Sequence, residues 1–116
     1  MFKEIKIGEH AVPMVANAAT PIRYKQIFKR DLLVTMTESE GVEIGILVQE
    51  LGYVMAMAAA KVDMGLLNED SYIAWLEGFE AMDFMDEAVA VDVMGLYQGN
   101  KETSVEPKKK AVRQKG

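Results

Sequence analysis

The sequence predicts a mainly α-helical fold with a small N-terminal β-hairpin, four or five helices and a disordered C-terminal tail. Short segments at the N-terminus alternate apolar and charged residues, as strands do. Longer segments with apolar residues at helical spacing and capping residues at their ends follow. Apolar residues become scarce beyond Asn100, which is typical of a chain that buries no core. We therefore expect one helical domain over residues 1–100 and a disordered basic tail over residues 101–116.

The predicted hairpin pairs Phe2–Ile7 with Ala11–Ala16 around a turn at Gly8 and Glu9. Pro13 lies in the second strand, and because proline has no N–H to donate, it belongs at a sheet edge. A lone hairpin is marginally stable in water, so we expect it to pack on helices or to pair with another chain.

The first helix is predicted to begin at Thr20 as N-cap, with Pro21 at the first helical position. It is expected to run to about Phe28 or beyond. The short apolar segment Asp31–Met36 forms either a further turn of that helix or a separate one, and the pattern leaves both open.

The most hydrophobic segment runs from Val42 to about Met64 and predicts a central helix. It is apolar on nearly every side, so we expect it to be buried. Gly65 is predicted as its stop. Small residues at seven-residue spacing would let another helix approach one stripe: Gly45, Gly52 and Ala59.

Two further helices are predicted before the tail. Asn68 is expected to be the N-cap of one, and its apolar stripe consists of Tyr72, Trp75, Leu76 and Phe79. The last helix is expected from about Asp83 to Gln98, with Gly99 as its stop.

Charge is unevenly distributed along the chain, whose net charge is −5. Residues 1–100 carry 16 acidic and seven basic side chains, whereas residues 101–116 carry two acidic and six basic ones. A nucleic-acid-binding protein places its basic residues on a folded surface. The acidic body therefore argues against nucleic acid and favours a basic protein partner.

Residue types needed for catalysis and metal binding are scarce. The chain has no cysteine and a single histidine, His10, beside the predicted turn, so a thiol nucleophile is excluded and a zinc site lacks ligands. The chain has three serines, Ser39, Ser71 and Ser104, and none of them lies in a nucleophile motif. We therefore predict no enzymatic activity, no metal and no cofactor.

Two residue groups have a second interpretation. Five carboxylates at spacings of three and four could form a paired-carboxylate site, although a solvated helix face explains them better: Glu77, Glu80, Asp83, Asp86 and Glu87. The nine methionines suit either core filling or an adaptable surface that holds apolar segments of other proteins.

Neither a signal peptide nor a membrane-spanning segment is expected. Charges interrupt the N-terminal apolar residues. The longest charge-free apolar stretch, Leu51–Ala60, is shorter than the roughly 20 residues that cross a bilayer.

Five short motifs follow one another along the first third of the chain: Ile5-Lys6-Ile7-Gly8, Ala18-Ala19-Thr20-Pro21, Arg23-Tyr24, Phe28 and Asp31-Leu32-Leu33. This arrangement resembles the tail assembly chaperones of siphophages that infect Gram-positive bacteria. Members of that family look like a short strand pair, an Ala/Thr-rich link, an Arg-Tyr helix and then Phe-Gly-x-Asp. This chain has Lys29 where the family often has glycine. The resemblance marks as motif residues and candidate partner contacts Thr20, Arg23, Tyr24, Phe28 and Asp31.

The resemblance implies a non-enzymatic role in tail morphogenesis. Such chaperones bind the long, hydrophobic tape measure protein and keep it soluble while the tail tube assembles. Many are made in two lengths by a ribosomal frameshift, and the longer form recruits the major tail tube protein. Lys108, Lys109 and Lys110 lie where that shift is expected, which would make this chain the short form. We expect a homo-oligomer in the host cell cytoplasm that is absent from the mature virion.

The alternative is a small helical adaptor or regulatory protein of a phage, also without enzymatic activity. Gene order separates the two. A chaperone gene lies between the major tail protein gene and a very long tape measure gene.

Overall fold

A computed structural model describes the backbone of residues 1–103 and the side chains of residues 1–99. The elements are, in order, β1 (Phe2–Ile7), β2 (His10–Val15), α1 (Thr20–Phe28), α2 (Leu32–Glu38), α3 (Val42–Ala59), α4 (Glu69–Leu76) and α5 (Glu87–Thr103). Two 3₁₀ helices, Met64–Leu66 and Ala81–Met85, precede α4 and α5. The predicted fold class, a helical protein with an N-terminal hairpin, is confirmed.

The hairpin is amphipathic, with one face on the core. Ile5, Ile7 and Met14 are fully buried, while the alternate residues of both strands face outward. The main chains of Met1 and Ala16 exchange two hydrogen bonds. Because hydrogen-bonded pairs alternate along an antiparallel ladder, Pro13 opposite Glu4 falls at a pair without ladder bonds. Its missing N–H therefore costs the sheet nothing.

The turn between α1 and α2 answers the question that the sequence left open. Lys29 has a φ of +62°, a left-handed conformation that ends α1 after Phe28. Asp31 then caps α2, since its side chain accepts a hydrogen bond from the Val34 N–H at 3.0 Å. The segment is a separate helix.

Only the second half of α3 is buried. Every residue from Val42 to Ile46 is exposed, whereas the residues from Leu47 to Ala56 pack against β2, α1, α4 and α5, with Gln49 alone among them half-buried. The prediction of a helix buried along its whole length is therefore wrong for its first turns. The predicted stop at Gly65 is also wrong, because α3 ends in a Schellman motif with Lys61 at φ +58°.

The last two helices begin with side-chain caps. Asn68 and Ser71 form a capping box at α4, which confirms the predicted N-cap. The predicted last helix is instead a 3₁₀ helix followed by α5, and α5 continues through Gly99 to Thr103. Residues 101–103 of the predicted tail belong to the last turn of α5. The rest of the predicted tail, including Lys108–Lys110, lies outside the described residues.

Aromatic rings connect the elements of the core. Consecutive ring centroids lie 5.0–6.4 Å apart, within the range of favourable tilted and edge-to-face contacts. The connected rings are Tyr24, Phe28, Tyr53, Tyr72, Trp75, Phe79, Phe84 and His10. His10, the single histidine, contacts Phe79 at one end of this series of rings.

Gly8 is constrained by its backbone and by a neighbour. Its φ is +62°, and a Cβ there would lie 2.4 Å from the Asp83 carboxylate. We expect Gly8→Ala to lower the free energy of unfolding by about 2–3 kcal/mol. Gly41 also has a positive φ, +58°, with no atom within 4 Å of a Cβ, and its ψ is −124°. Gly41→Ala should therefore lower the free energy of unfolding by about 1–3 kcal/mol through backbone strain alone. Urea denaturation measures both variants, and a Gly8→Ala variant as stable as the wild type would contradict the positive φ and the Asp83 contact.

Candidate docking surface

Two of the five motif residues organise the backbone around α1. The Thr20 hydroxyl is buried and accepts a hydrogen bond from the Asn17 N–H at 2.9 Å, while the Asn17 side chain accepts from the Ala19 N–H. The sequence predicted Thr20 as the N-cap of α1. That prediction is wrong, because Ala19 is the N-cap and Thr20 is the first residue of the helix. Asp31 has the capping role at α2 described above.

Tyr24 belongs to a buried polar cluster that joins α1 to α3. Its hydroxyl donates a hydrogen bond of 2.6 Å to Glu50, which is 5% exposed. Arg30 makes an ion pair with the other carboxylate oxygen of Glu50 and lies over the Tyr24 and Phe28 rings. Burial, reinforced by the hydrogen bond to Glu50, raises the pKa of Tyr24 well above its ordinary value. The cluster holds a buried charge with both oxygens paired, as stability requires.

The remaining motif residues, Phe28 and Arg23, are buried to different extents. Phe28 is buried among Tyr24, Tyr53 and Tyr72. Arg23 is half-buried, and its Nε has no hydrogen-bond acceptor among the described residues. In this structure Thr20, Tyr24 and Phe28 belong to the buried junction of α1, α2 and α3, while Asp31 is exposed and Arg23 is half-buried.

Exposed apolar residues mark a different region. The first turns of α3 expose Val42 to 83%, Ile44 to 45% and Ile46 to 46%. In the second 3₁₀ helix, Met82 and Met85 are each 76% exposed. Large apolar side chains exposed next to one another indicate an interaction surface.

A groove of about 580 Å³ runs between these two regions. Val42, Ile44 and Val48 line it from α3, and Phe84 and Met85 line it from the second 3₁₀ helix. Gly45 also lines it, with no atom within 4 Å of where its Cβ would be. We call this region the α3 groove.

Among the described residues, the charged side chains that line the α3 groove are acidic. They are Asp86 and Glu87, and no described lysine or arginine lines it. The chain between residues 62 and 100 contains nine acidic side chains and no basic one. A basic partner is therefore attracted to this side of the protein.

Three of the five clustered carboxylates act at helix starts. Glu80 and Asp83 form a capping box, and Asp86 accepts a hydrogen bond from the Ala88 N–H. Glu77 and Glu87 are exposed. Within the described residues no three His, Asp or Glu side chains are grouped as metal ligands.

Among residues 1–103, α3 is the one helix long and apolar enough to span a membrane by length and composition. Half of it is buried inside the protein, as in the core helix of a globular domain.

The sequence reasoning missed the groove because apolar residues surround α3 on every side, which hides the difference between its exposed and buried halves. The absence of Lys and Arg between residues 62 and 100 was a usable signal. Comparison with protein-family models, with curated proteins and with solved structures finds no match to this chain.

Replacing Lys29 tests the turn within the motif. Lys29→Gly should raise the free energy of unfolding by about 0.5–1 kcal/mol, because glycine adopts the left-handed conformation at less cost. Lys25→Gly is the control, at an exposed position inside the same helix, and should lower it by about 1 kcal/mol. Thermal denaturation measures both. A loss in both variants would contradict the left-handed conformation at Lys29.

Alkaline pH should weaken the fold through Tyr72. Burial, with the nearby charge of Glu50, raises the pKa of Tyr72 to about 12, whereas an unfolded tyrosine titrates near about 10. Between these values the unfolded chain loses a proton that the folded chain keeps, so stability falls by about 1.4 kcal/mol per pH unit. The stability advantage of the wild type over Tyr72→Phe should shrink above about pH 10 at this rate. A constant difference in urea denaturation would contradict the raised pKa.

Proposed function

We propose that this chain is a non-enzymatic tail assembly chaperone of a long-tailed phage, which binds the tape measure protein and keeps it soluble while the tail tube assembles. In this proposal the chain works as a homo-oligomer in the host cell cytoplasm. A longer frameshifted form contacts the major tail tube protein. The finished virion does not contain it.

The observation that carries the proposal is the exposed apolar surface of a protein with a complete core of its own. Thirteen large apolar side chains are exposed among the described residues, although Leu51, Tyr53 and Val54 at the centre are fully or almost fully buried. Methionine is prominent on this surface, and its flexible side chain adapts to varied apolar partners. A chaperone for a hydrophobic helical client needs such a surface.

The strongly acidic body fits the same role. Residues 31–99 carry 14 acidic side chains and one basic one, Lys61. Mutual repulsion keeps a protein soluble despite exposed apolar residues. An acidic chaperone with an apolar surface can therefore hold a client without precipitating itself.

The backbone at Lys29 supports the family resemblance. The family motif places glycine directly after the phenylalanine that corresponds to Phe28. Here Lys29 adopts φ +62°, the region in which glycine is favoured, and Asp31 caps the next helix. The conformation that the motif requires is thus present with a different residue.

Co-expression tests the proposal. The tape measure protein encoded beside this gene should move from the pellet to the soluble fraction when the wild-type chain is co-expressed. Leu51→Asp places a charge at a fully buried position and should unfold the chain, so it serves as the control without a folded surface. Equal precipitation of the tape measure protein with the wild type, with Leu51→Asp and with neither would contradict the proposal.

A chain that leaves the tape measure protein insoluble but co-purifies with a folded host or phage regulator would favour the adaptor alternative.

A further inference from the structure

We propose that the α3 groove binds one amphipathic helix whose apolar stripe packs over Gly45 and whose flanking residues are lysine or arginine. The inference rests on the proposed function only where it identifies that helix as part of the tape measure protein. The occupant follows from the shape, backbone and charge of the groove.

Gly45 is not explained by contacts within the chain. Glycine inside a helix costs about 1 kcal/mol relative to alanine. Gly52, on the same stripe, has Met14 within 3.5 Å of the position its Cβ would take, so close packing accounts for it. Gly45 has open space at that position. An occupant that approaches the α3 backbone closely would account for a glycine there.

The backbone of the walls favours a helical occupant. One wall is α3, and the other is the second 3₁₀ helix with the start of α5. Helices bond their main-chain groups internally, so the walls offer no ladder to an extended strand. A helix satisfies its own backbone and needs only an apolar stripe to fit between them.

The charge of the groove selects basic flanks. Asp86 and Glu87 are its only charged lining residues in the part of the chain that the structure describes. Basic residues at the ends of the occupant would meet these carboxylates, while acidic ones would be repelled.

The same charges argue against two other occupants. A symmetric contact between two copies through this groove would bring acidic rims together, which is unfavourable. A membrane surface rich in anionic lipids would be repelled in the same way.

Binding to designed peptides tests the inference on the full chain. The probe is a fluorescent helical peptide of about 18 residues, long enough to be helical in water, with a leucine and alanine stripe and lysines at both ends. A second peptide has glutamates at the ends, and a third has the first composition scrambled to remove the stripe. We expect the lysine peptide to bind at least about tenfold more tightly than the glutamate peptide in fluorescence anisotropy. The preference should shrink at high salt, and the scrambled peptide should not bind.

A matched pair of variants locates the site. Gly45→Leu fills the α3 groove. Gly95→Leu alters another exposed helical glycine with open space at Cβ, in a separate groove where Lys3 and Asp92 form an ion pair at 3.6 Å. Both variants should melt at or above the wild-type temperature, because leucine favours helix over glycine. Only Gly45→Leu should weaken binding of the lysine peptide, by about tenfold or more.

Any of three results would overturn the inference. The first is equal binding of the lysine and glutamate peptides, and the second is binding of the lysine peptide that Gly45→Leu leaves unchanged. The third is a concentration-dependent oligomer in light scattering that Gly45→Leu dissociates, with no peptide binding, which would assign the groove to a second copy of this chain.

The outcomes separate this inference from the proposed function. If the wild type binds the lysine peptide but does not solubilise the tape measure protein, the groove assignment stands and the chaperone role fails. If wild type and Gly45→Leu solubilise the tape measure protein equally well, the chaperone role stands and the identification of the groove's helix as part of the tape measure protein fails.

Discussion

The packing of α3 against shorter elements determines the rest of this structure. A helix of 18 residues is about 27 Å long, whereas the six-residue strands of the hairpin span about 20 Å. The hairpin, α1, α4 and α5 pack against the segment from Leu47 to Ala56 and leave the first turns of α3 exposed. One helix therefore supplies both the centre of the core and the apolar wall of a groove. This division explains how a small protein can expose so many apolar residues and still fold.

The cluster around Glu50 fixes which part of α3 is covered by the other elements and which part is exposed. Glu50 is the point on α3 to which Tyr24 of α1 and Arg30 after it are bonded. A buried carboxylate is costly unless both oxygens are paired, so the cluster allows little change in how α1 lies on α3. Tyr24 and Phe28 act mainly through this junction. In the proposed function their contribution is to position α3, whose exposed turns would make the contact with a client.

The sequence predicted those features that short-range chemistry determines. The hairpin alternation and the Asn68 cap each depend on a few neighbouring residues. The sequence leaves the end of α1 open and misplaces the end of α3, because Lys29 and Lys61 adopt a positive φ there at positions that usually hold glycine. Gly65 and Gly99 show that a glycine permits a helix to end but does not require it. The α3 groove could not be predicted, because Val42 and Val54 look alike in sequence and differ only in what the fold places against them.

The methionines allow the central claim, that clients bind at the exposed half of α3, to be measured directly. In a methyl NMR spectrum of the ¹³C-methionine-labelled chain, a soluble helical fragment of the tape measure protein should shift the resonance of Met85, which lines the α3 groove and is 76% exposed. The resonances of the fully buried Met14 and Met55 should stay in place. Shifts confined to other methionines, or no shift at saturating fragment, would contradict this account.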